Sequence, residues 1–192
     1  DGLGGAHTQN VTDPRLGPRL LERLRVGDAA QAALDRVVAE ADADTIGYRQ
    51  LLVLDRAGRA AAYSGDRALG VFGSVTRQNA VAGGNMLASP AVLDALVDAA
   101  LAASGPLEER LLAGLRAALD AGGEAGPLHS AGLSVVADAG WRVTDLRVDW
   151  AETDPVGELG ALVARWLPER EDYTNRGLAP ATTPAYGVPG DE

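Results

Sequence analysis

The chain of 192 residues contains no cysteine, and its two histidines lie far apart. Without cysteine, these residues form no disulfide, no thiolate metal site and no cysteine nucleophile. His7 and His129 also lack the helical spacing of a two-histidine zinc motif. The sequence therefore predicts no metal site and no cofactor.

Lysine is absent too, since all 17 basic residues are arginine, and the formal net charge is −10. An acidic surface repels phosphate backbones, so the composition predicts no nucleic-acid partner. The stretch GGNML at residues 83–87 lacks both the P-loop lysine and the three-glycine spacing of a dinucleotide fingerprint. Its glycines are more typical of a turn between a strand and a helix. The alternative is that Asn85 places a side-chain amide at the mouth of a cleft.

Long apolar runs are missing as well. The longest, residues 91–103, is interrupted by Asp94 and Asp98, so it cannot span a membrane. No basic segment followed by an apolar one stands at the start, which gives no sign of a signal peptide. We therefore expect no membrane partner and a cytoplasmic location. The chain begins at Asp1 and its only methionine is Met86, so we expect a processed, trimmed or partial product.

The hydrophobic fraction of 46% and the charged fraction of 23% are ordinary for a globular protein. This length and composition suit one domain, which we place at residues 1–167, followed by an extended proline-rich tail at residues 168–192.

Strands and helices alternate in groups along the sequence. A continuous apolar run at 51–54 predicts a strand at 48–55 that is buried on both faces, and further strands are predicted at 59–65 and 77–83. A hairpin is predicted at 130–150; apolar and polar residues alternate in its last strand, with a bulge near Thr144. Helical periodicity follows Asp13-Pro14, Asp28, Ser89-Pro90 and Asp154-Pro155, and also covers 107–119. Antiparallel strand groups separated by helices predict an α+β fold rather than a parallel doubly wound sheet.

Several polar residues stand where a site could form. Arg49 and Gln50 precede an apolar strand. Arg49 lies either in water or buried against a carboxylate, and we expect it buried between strand layers and paired with a carboxylate or with backbone carbonyls. Thr8 and Gln9 follow a glycine run, either in a turn or at the edge of a site. His129 is more typical of a turn at a strand entrance than of a catalytic base. The motif G-x-S-x-G of a nucleophile elbow is absent.

An ordered set of phrases resembles the bacterial family called domain of unknown function 1028, of the Ntn-hydrolase-like superfamily. The phrases are HTQNVTDPRLGPRLLERL, YRQLLVLDRAGRAAAYSG, GGNML, EERLLAGLRAALDAGGEAG, HSAGLSVV and DLRVD. The resemblance implies a four-layer α-β-β-α sandwich with antiparallel sheets. It also implies hydrolysis of an amide bond by an N-terminal Thr, Ser or Cys whose own α-amino group is the base.

Members of that family carry further residues before the stretch that resembles GLGGAHTQ. We therefore expect the first strands to be absent here, the nucleophile to lie upstream of Asp1, and the chain to form a homo-oligomer through an open sheet edge. The expected substrate is a small molecule; the alternative is a non-catalytic module that binds a small molecule or a protein. The candidate substrate-binding residues are Thr8, Gln9, Arg49, Ser64, Asn85 and His129.

Overall fold

A computed structural model describes residues 2–185, 187 and 190 of the chain. Over these residues it contains seven α-helices and seven strands, and every strand pairing is antiparallel. The α+β class predicted from the sequence is therefore confirmed. The chain divides into two compact units. The first comprises Gly2–Pro106 and Arg110–Pro127, and the second comprises Leu107–Glu109 and the chain from Leu128 onward.

The first unit contains a three-stranded sheet in the order β1-β2-β3, formed by Gly4–Asn10, Arg49–Asp55 and Ala60–Ser64. Residues of β2 alternate between its two faces. Leu51 and Val53 join a buried cluster with helices α1 (Leu16–Arg25) and α2 (Ala30–Ala39), whereas Gln50 and Leu52 face the other way. The stretch around Thr8 and Gln9 is thus a strand rather than a turn.

The first turn of helix α2 is capped by a residue that is distant in sequence. The sequence predicts Asp28 as its cap, but Asp28 forms ion pairs with Arg23 and Arg36. The carboxylate of Asp55, at the end of β2, instead accepts a hydrogen bond of 3.1 Å from the Ala30 N–H. A short helix, α3 (Ala43–Ile46), follows before β2 and was not predicted.

A second sheet of the first unit is the hairpin of β4 (Gly73–Arg77) and β5 (Ala80–Gly84). The sequence predicted one strand at 77–83; the chain instead turns at Asn79, whose φ of 67° is one that asparagine tolerates well. Helix α4 (Ala91–Ala102) packs on one face of this hairpin. The other face meets β2 and β3, where a Cβ on Gly83 would lie only 2.7 Å from a methyl carbon of Leu52.

Helix α5 comprises Leu107–Asp120, and its first three residues belong to the second unit. The remainder of the second unit is the hairpin of β6 (Ala131–Val136) and β7 (Arg142–Val148), followed by helices α6 (Pro155–Trp166) and α7 (Arg170–Leu178). The hairpin is confirmed, and its register shifts beside Thr144, where the bulge was expected. Asp154 caps α6 by accepting the Gly157 N–H at 2.8 Å, as its Asp-Pro start predicts.

The segment 168–192 was predicted to be an extended tail, but its residues Arg170–Leu178 form helix α7. The Arg170 guanidinium at its start binds Glu108, and the Tyr173 ring lies 5.4 Å from that of Trp166, so tertiary contacts stabilise a segment of weak helical pattern. Residues 186, 188, 189, 191 and 192 of that tail lie outside the described part. No helix within the described residues has the length and apolar character needed to cross a bilayer.

Candidate functional site

The register of the three-stranded sheet brings three polar residues side by side. Gln9 of β1 pairs with Gln50 of β2, and Gln50 pairs with Ser64 of β3. Directly paired residues on neighbouring strands project from the same face of a sheet. The row therefore lies on the face that meets β4 and β5, opposite to Leu51.

Gln50 is the centre of a hydrogen-bond network and has no exposed surface. Its Nε2 donates to Ser64 Oγ and to the Gly84 carbonyl, each at 2.9 Å, and lies 3.4 Å from the Gly73 carbonyl. Its Oε1 accepts from Gln9 Nε2 and from Asn85 Nδ2, both at 3.1 Å. A buried amide satisfied in this way joins the two sheets through polar contacts rather than apolar packing.

Asn85 is held by the backbone of the turn that follows β5. The next residue, Met86, has a φ of 51°, in the left-handed region that non-glycine residues rarely adopt. Its N–H donates to Leu69 O at 2.9 Å, and its carbonyl accepts from the Ala125 N–H at 2.7 Å. Such backbone conformations cost on the order of 1–3 kcal/mol and persist where the surroundings fix them. Asn85 therefore donates its hydrogen bond to Gln50 from a turn whose backbone is held by hydrogen bonds on both sides of Met86.

The network offers hydrogen-bond donors and acceptors rather than acid–base groups. A side-chain amide carries two N–H groups and one oxygen. Among the described contacts, Gln9 and Asn85 each use one N–H on Gln50 and retain the other, and both side chains are half-buried. The Ser64 hydroxyl receives a hydrogen bond from Gln50, and no histidine, carboxylate or amine of the described chain binds it. The site can therefore bind a carbonyl or amide group, but Ser64 is not activated as a nucleophile.

Thr8 and Arg49 lie on the opposite, helix-facing side of the same sheet. Thr8 Oγ1 donates to the Asp13 carbonyl at 3.4 Å. The half-buried Arg49 donates to the Val11 carbonyl through Nη1. The prediction that Arg49 points between the strand layers is wrong, because side chains alternate along β2 and Gln50 takes the inward position.

His129 belongs to the second unit. Its Nδ1 donates to the Ala151 carbonyl at 2.9 Å, and its ring stacks on Trp150 with centroids 4.1 Å apart. These contacts fix the histidine just before β6, which agrees with a turn residue at a strand entrance. The structure thus brings Gln9, Ser64 and Asn85 together around Gln50, but not Thr8, Arg49 or His129.

A second polar cluster, in the second unit, was missed by the sequence analysis. The buried carboxylate of Glu108 accepts from Arg170 Nη1 at 2.8 and 2.9 Å and from Thr144 Oγ1 at 2.5 Å. Trp166 Nε1 donates to the same Thr144 hydroxyl at 3.0 Å. Burial raises the pKa of Glu108, but the hydrogen bonds from Thr144 and Arg170 outweigh it and lower that pKa below its ordinary value. This saturated carboxylate is a structural contact, and no group of metal-binding side chains occurs in the described part of the chain.

Gln50 itself stood out in the sequence as a polar residue before an apolar run, yet it was not among the candidates. The feature that could have identified Gln50 is its position: a polar side chain in a strand buried on both faces needs hydrogen-bond partners inside the protein. Glu108 gave no such signal, because an acidic residue in the first turn of a helix is normally solvated.

Two comparisons with known proteins found a similarity to this chain. The model of a family described as a family of unknown function (DUF1028) matches residues 1–159. A crystal structure of a protein from Silicibacter pomeroyi, described under the same family model, is similar with a TM-score of 0.79 and 31% sequence identity. The similarity covers 89% of this chain and 76% of that one. No curated protein matches the chain.

Proposed function

This chain belongs to the family of unknown function DUF1028, and we propose that it acts as a small-molecule amide hydrolase of the N-terminal-nucleophile type. The single observation that carries the proposal is the amide network of Gln9, Gln50 and Asn85 between two antiparallel sheets. Side-chain amides in such a position suit the carbonyl group of an amide substrate.

The layering of the first unit supports this assignment. Helices α1 and α2 contact the sheet of β1, β2 and β3; that sheet contacts β4 and β5; and these contact α4. The order helix, sheet, sheet, helix is the one that the superfamily resemblance implies. We therefore propose a four-layer α-β-β-α sandwich as the architecture of the first unit, with the site between its two sheets.

In the proposed reaction, residues of this chain stabilise the negative charge that develops on the carbonyl oxygen of the substrate. Attack on an amide carbonyl places negative charge on its oxygen, and preorganised N–H donors stabilise that charge. The second N–H of Asn85, on its rigid turn, is the first candidate donor, and that of Gln9 is the second. Gln50 positions both amides and does not itself reach the substrate.

The nucleophile is assigned to an N-terminal Thr, Ser or Cys upstream of Asp1. Thr8 and Ser64 supply hydroxyls, but each is hydrogen-bonded without a base among the described residues. A free α-amino group has a pKa of about 8, near enough to neutrality to accept the proton of an adjacent hydroxyl or thiol.

The test uses the whole product of the gene and a panel of small amides. Asn85→Ala should lower kcat by roughly a hundredfold, because removing one oxyanion donor costs about 10²–10³ in rate. Gln78→Ala removes an amide from the exposed β4–β5 turn and should leave turnover unchanged. A β-lactone probe should label the N-terminal residue, as read by peptide mass. The absence of both turnover and labelling would reject the hydrolase.

A specific observation favours a second candidate, a non-catalytic module that binds a small polar molecule. Gln9 and Asn85 bind Gln50 in a network that satisfies Gln50 completely, and no acid–base group of the described chain joins it. Such a module would be stabilised by members of the amide panel without cleaving them. Asn85→Ala would then weaken that stabilisation while no product forms.

A further inference from the structure

A cavity of about 490 Å³ lies on the helix-facing side of β2, away from the Gln50 network. It opens among the start of α1, the segment of α3 and the start of β2, all in the first unit. Its volume is in the range of about 300–1,000 Å³ that small-molecule sites occupy. Leu16 and Ile46 contribute apolar parts of its lining, and Arg49 lines it as well.

The charges around this cavity are unevenly neutralised. The Asp13 carboxylate accepts from the Arg15 guanidinium at 2.7 and 2.8 Å, and these hydrogen bonds lower the pKa of Asp13 to about 2. Arg19 pairs with Glu40 at 2.9 Å. Asp42 accepts the Asp44 N–H at 2.9 Å and so caps α3.

Among the arginines that line the cavity, Arg49 is the one whose hydrogen-bond partner is a neutral group. It donates to the Val11 carbonyl and forms no ion pair with any residue that the structure describes. A guanidinium carries five N–H donors in a planar fork that matches a carboxylate. Arg15 and Arg19 are each paired with a carboxylate, which leaves Arg49 as the lining arginine that can take up the carboxylate of a ligand.

We propose that this cavity binds a small monocarboxylate with an apolar body. The carboxylate pairs with Arg49, and the apolar part contacts Leu16 and Ile46. A phosphate dianion fits poorly, because the Asp13 and Asp42 carboxylates share the cavity and repel a second negative charge. The site is independent of the amide network, since it lies on the other face of the sheet.

The test compares 4-phenylbutyrate with its uncharged amide and with inorganic phosphate, by calorimetric titration of the purified protein. The acid should bind at least tenfold more tightly than either of the others. Equal affinity for acid and amide would show that Arg49 contributes nothing. Phosphate binding as tightly as the acid would show a simple anion site and overturn the proposed ligand class.

Three variants locate the binding. Arg49→Gln should weaken 4-phenylbutyrate at least tenfold, whereas Arg56→Gln, which removes an exposed arginine at the β2–β3 turn, should not. Thr45→Phe fills the cavity while keeping Arg49, and it should abolish binding without lowering the thermal midpoint. If Arg49→Gln unfolds the chain, the Thr45 variant still decides: normal binding in a folded Thr45→Phe protein would place the ligand elsewhere and overturn the proposal.

Discussion

Two fully buried polar side chains, one in each unit, are partnered in opposite ways. Gln50 is neutral, and the amides around it retain hydrogen-bonding groups beyond those that bind it. Glu108 is charged, and Arg170 and Thr144 occupy its oxygens. A neutral centre with unsaturated neighbours can serve a ligand without responding to pH, whereas a saturated ion pair fixes local structure and responds to acid. The difference separates a candidate site from a structural contact, although both are buried to the same degree.

The largest effect should come from breaking the charged centre. Arg170→Met leaves the Glu108 carboxylate buried without its cation, which typically costs about 3–5 kcal/mol of unfolding free energy. Arg165→Met, on the exposed face of α6, is the matched control and should change stability by less than about 0.5 kcal/mol. Urea unfolding measures both; equal midpoints for the two variants would mean that the ion pair does not hold the second unit together.

A second prediction replaces the neutral Gln50 by a carboxylate, so that a buried charge without a cation can be compared with the paired Glu108. Gln50→Glu places a carboxylate at a fully buried position with no arginine beside it, so its pKa rises in the folded protein. The folded state then binds a proton more tightly than the unfolded chain, so stability should increase as the pH falls through this raised pKa towards the unfolded value of about 4. Near neutral pH we expect a loss of about 2–4 kcal/mol, from the cost of an unpaired buried charge. A pH-independent loss in denaturant titrations would show that water reaches the site.

The native protein should respond to acid in the opposite direction. The pKa of Glu108 and that of Asp55 are both lowered on folding, in each case because hydrogen bonds outweigh the rise caused by burial. The unfolded chain therefore binds more protons at acid pH, and stability is complete above the unfolded pKa of about 4 and falls below it.

Glu108→Gln should reduce the steepness of this acid loss, whereas Gln50→Leu should leave it unchanged while lowering stability by about 1–3 kcal/mol at every pH. The measurement is the unfolding free energy between pH 7 and pH 3 for both variants. A steeper acid loss in Gln50→Leu would contradict the assignment of the pH response to the carboxylates.

Local signals made parts of this architecture predictable from sequence. Asp154 followed by Pro155 marks a helix start by short-range chemistry, and the strand beginning at Arg49 follows from its apolar run. The class of the fold follows from the order of such elements. The candidate site was only half predictable: Gln9, Ser64 and Asn85 were chosen for their polarity, but their meeting at Gln50 depends on strand register, which sequence periodicity does not specify.

Arg49 shows most clearly how far the orientation of a side chain can be predicted from the sequence. Because residues in a strand alternate between faces, an assignment shifted by one residue exchanges Arg49 with Gln50, and only the helices packed on Leu51 decide which of them points inward. Glu108 was beyond reach for another reason. Its partners Thr144 and Arg170 are 36 and 62 residues away, so no local pattern reveals that a first-turn glutamate is buried.

The smallest effect is expected at Asn85, and it separates stability from function. Asn85→Ala removes one hydrogen bond at a half-buried position and should cost only about 0.5–1.5 kcal/mol, because Gln9 still binds Gln50 Oε1. The same variant should lose most of the ligand-dependent stabilisation given by small amides, because the proposed function assigns the free N–H of Asn85 to the substrate carbonyl. Gln78→Ala should change neither quantity. If Asn85→Ala lowers stability by several kcal/mol, the residue is a structural contact comparable to Glu108, and the difference between the two centres would disappear.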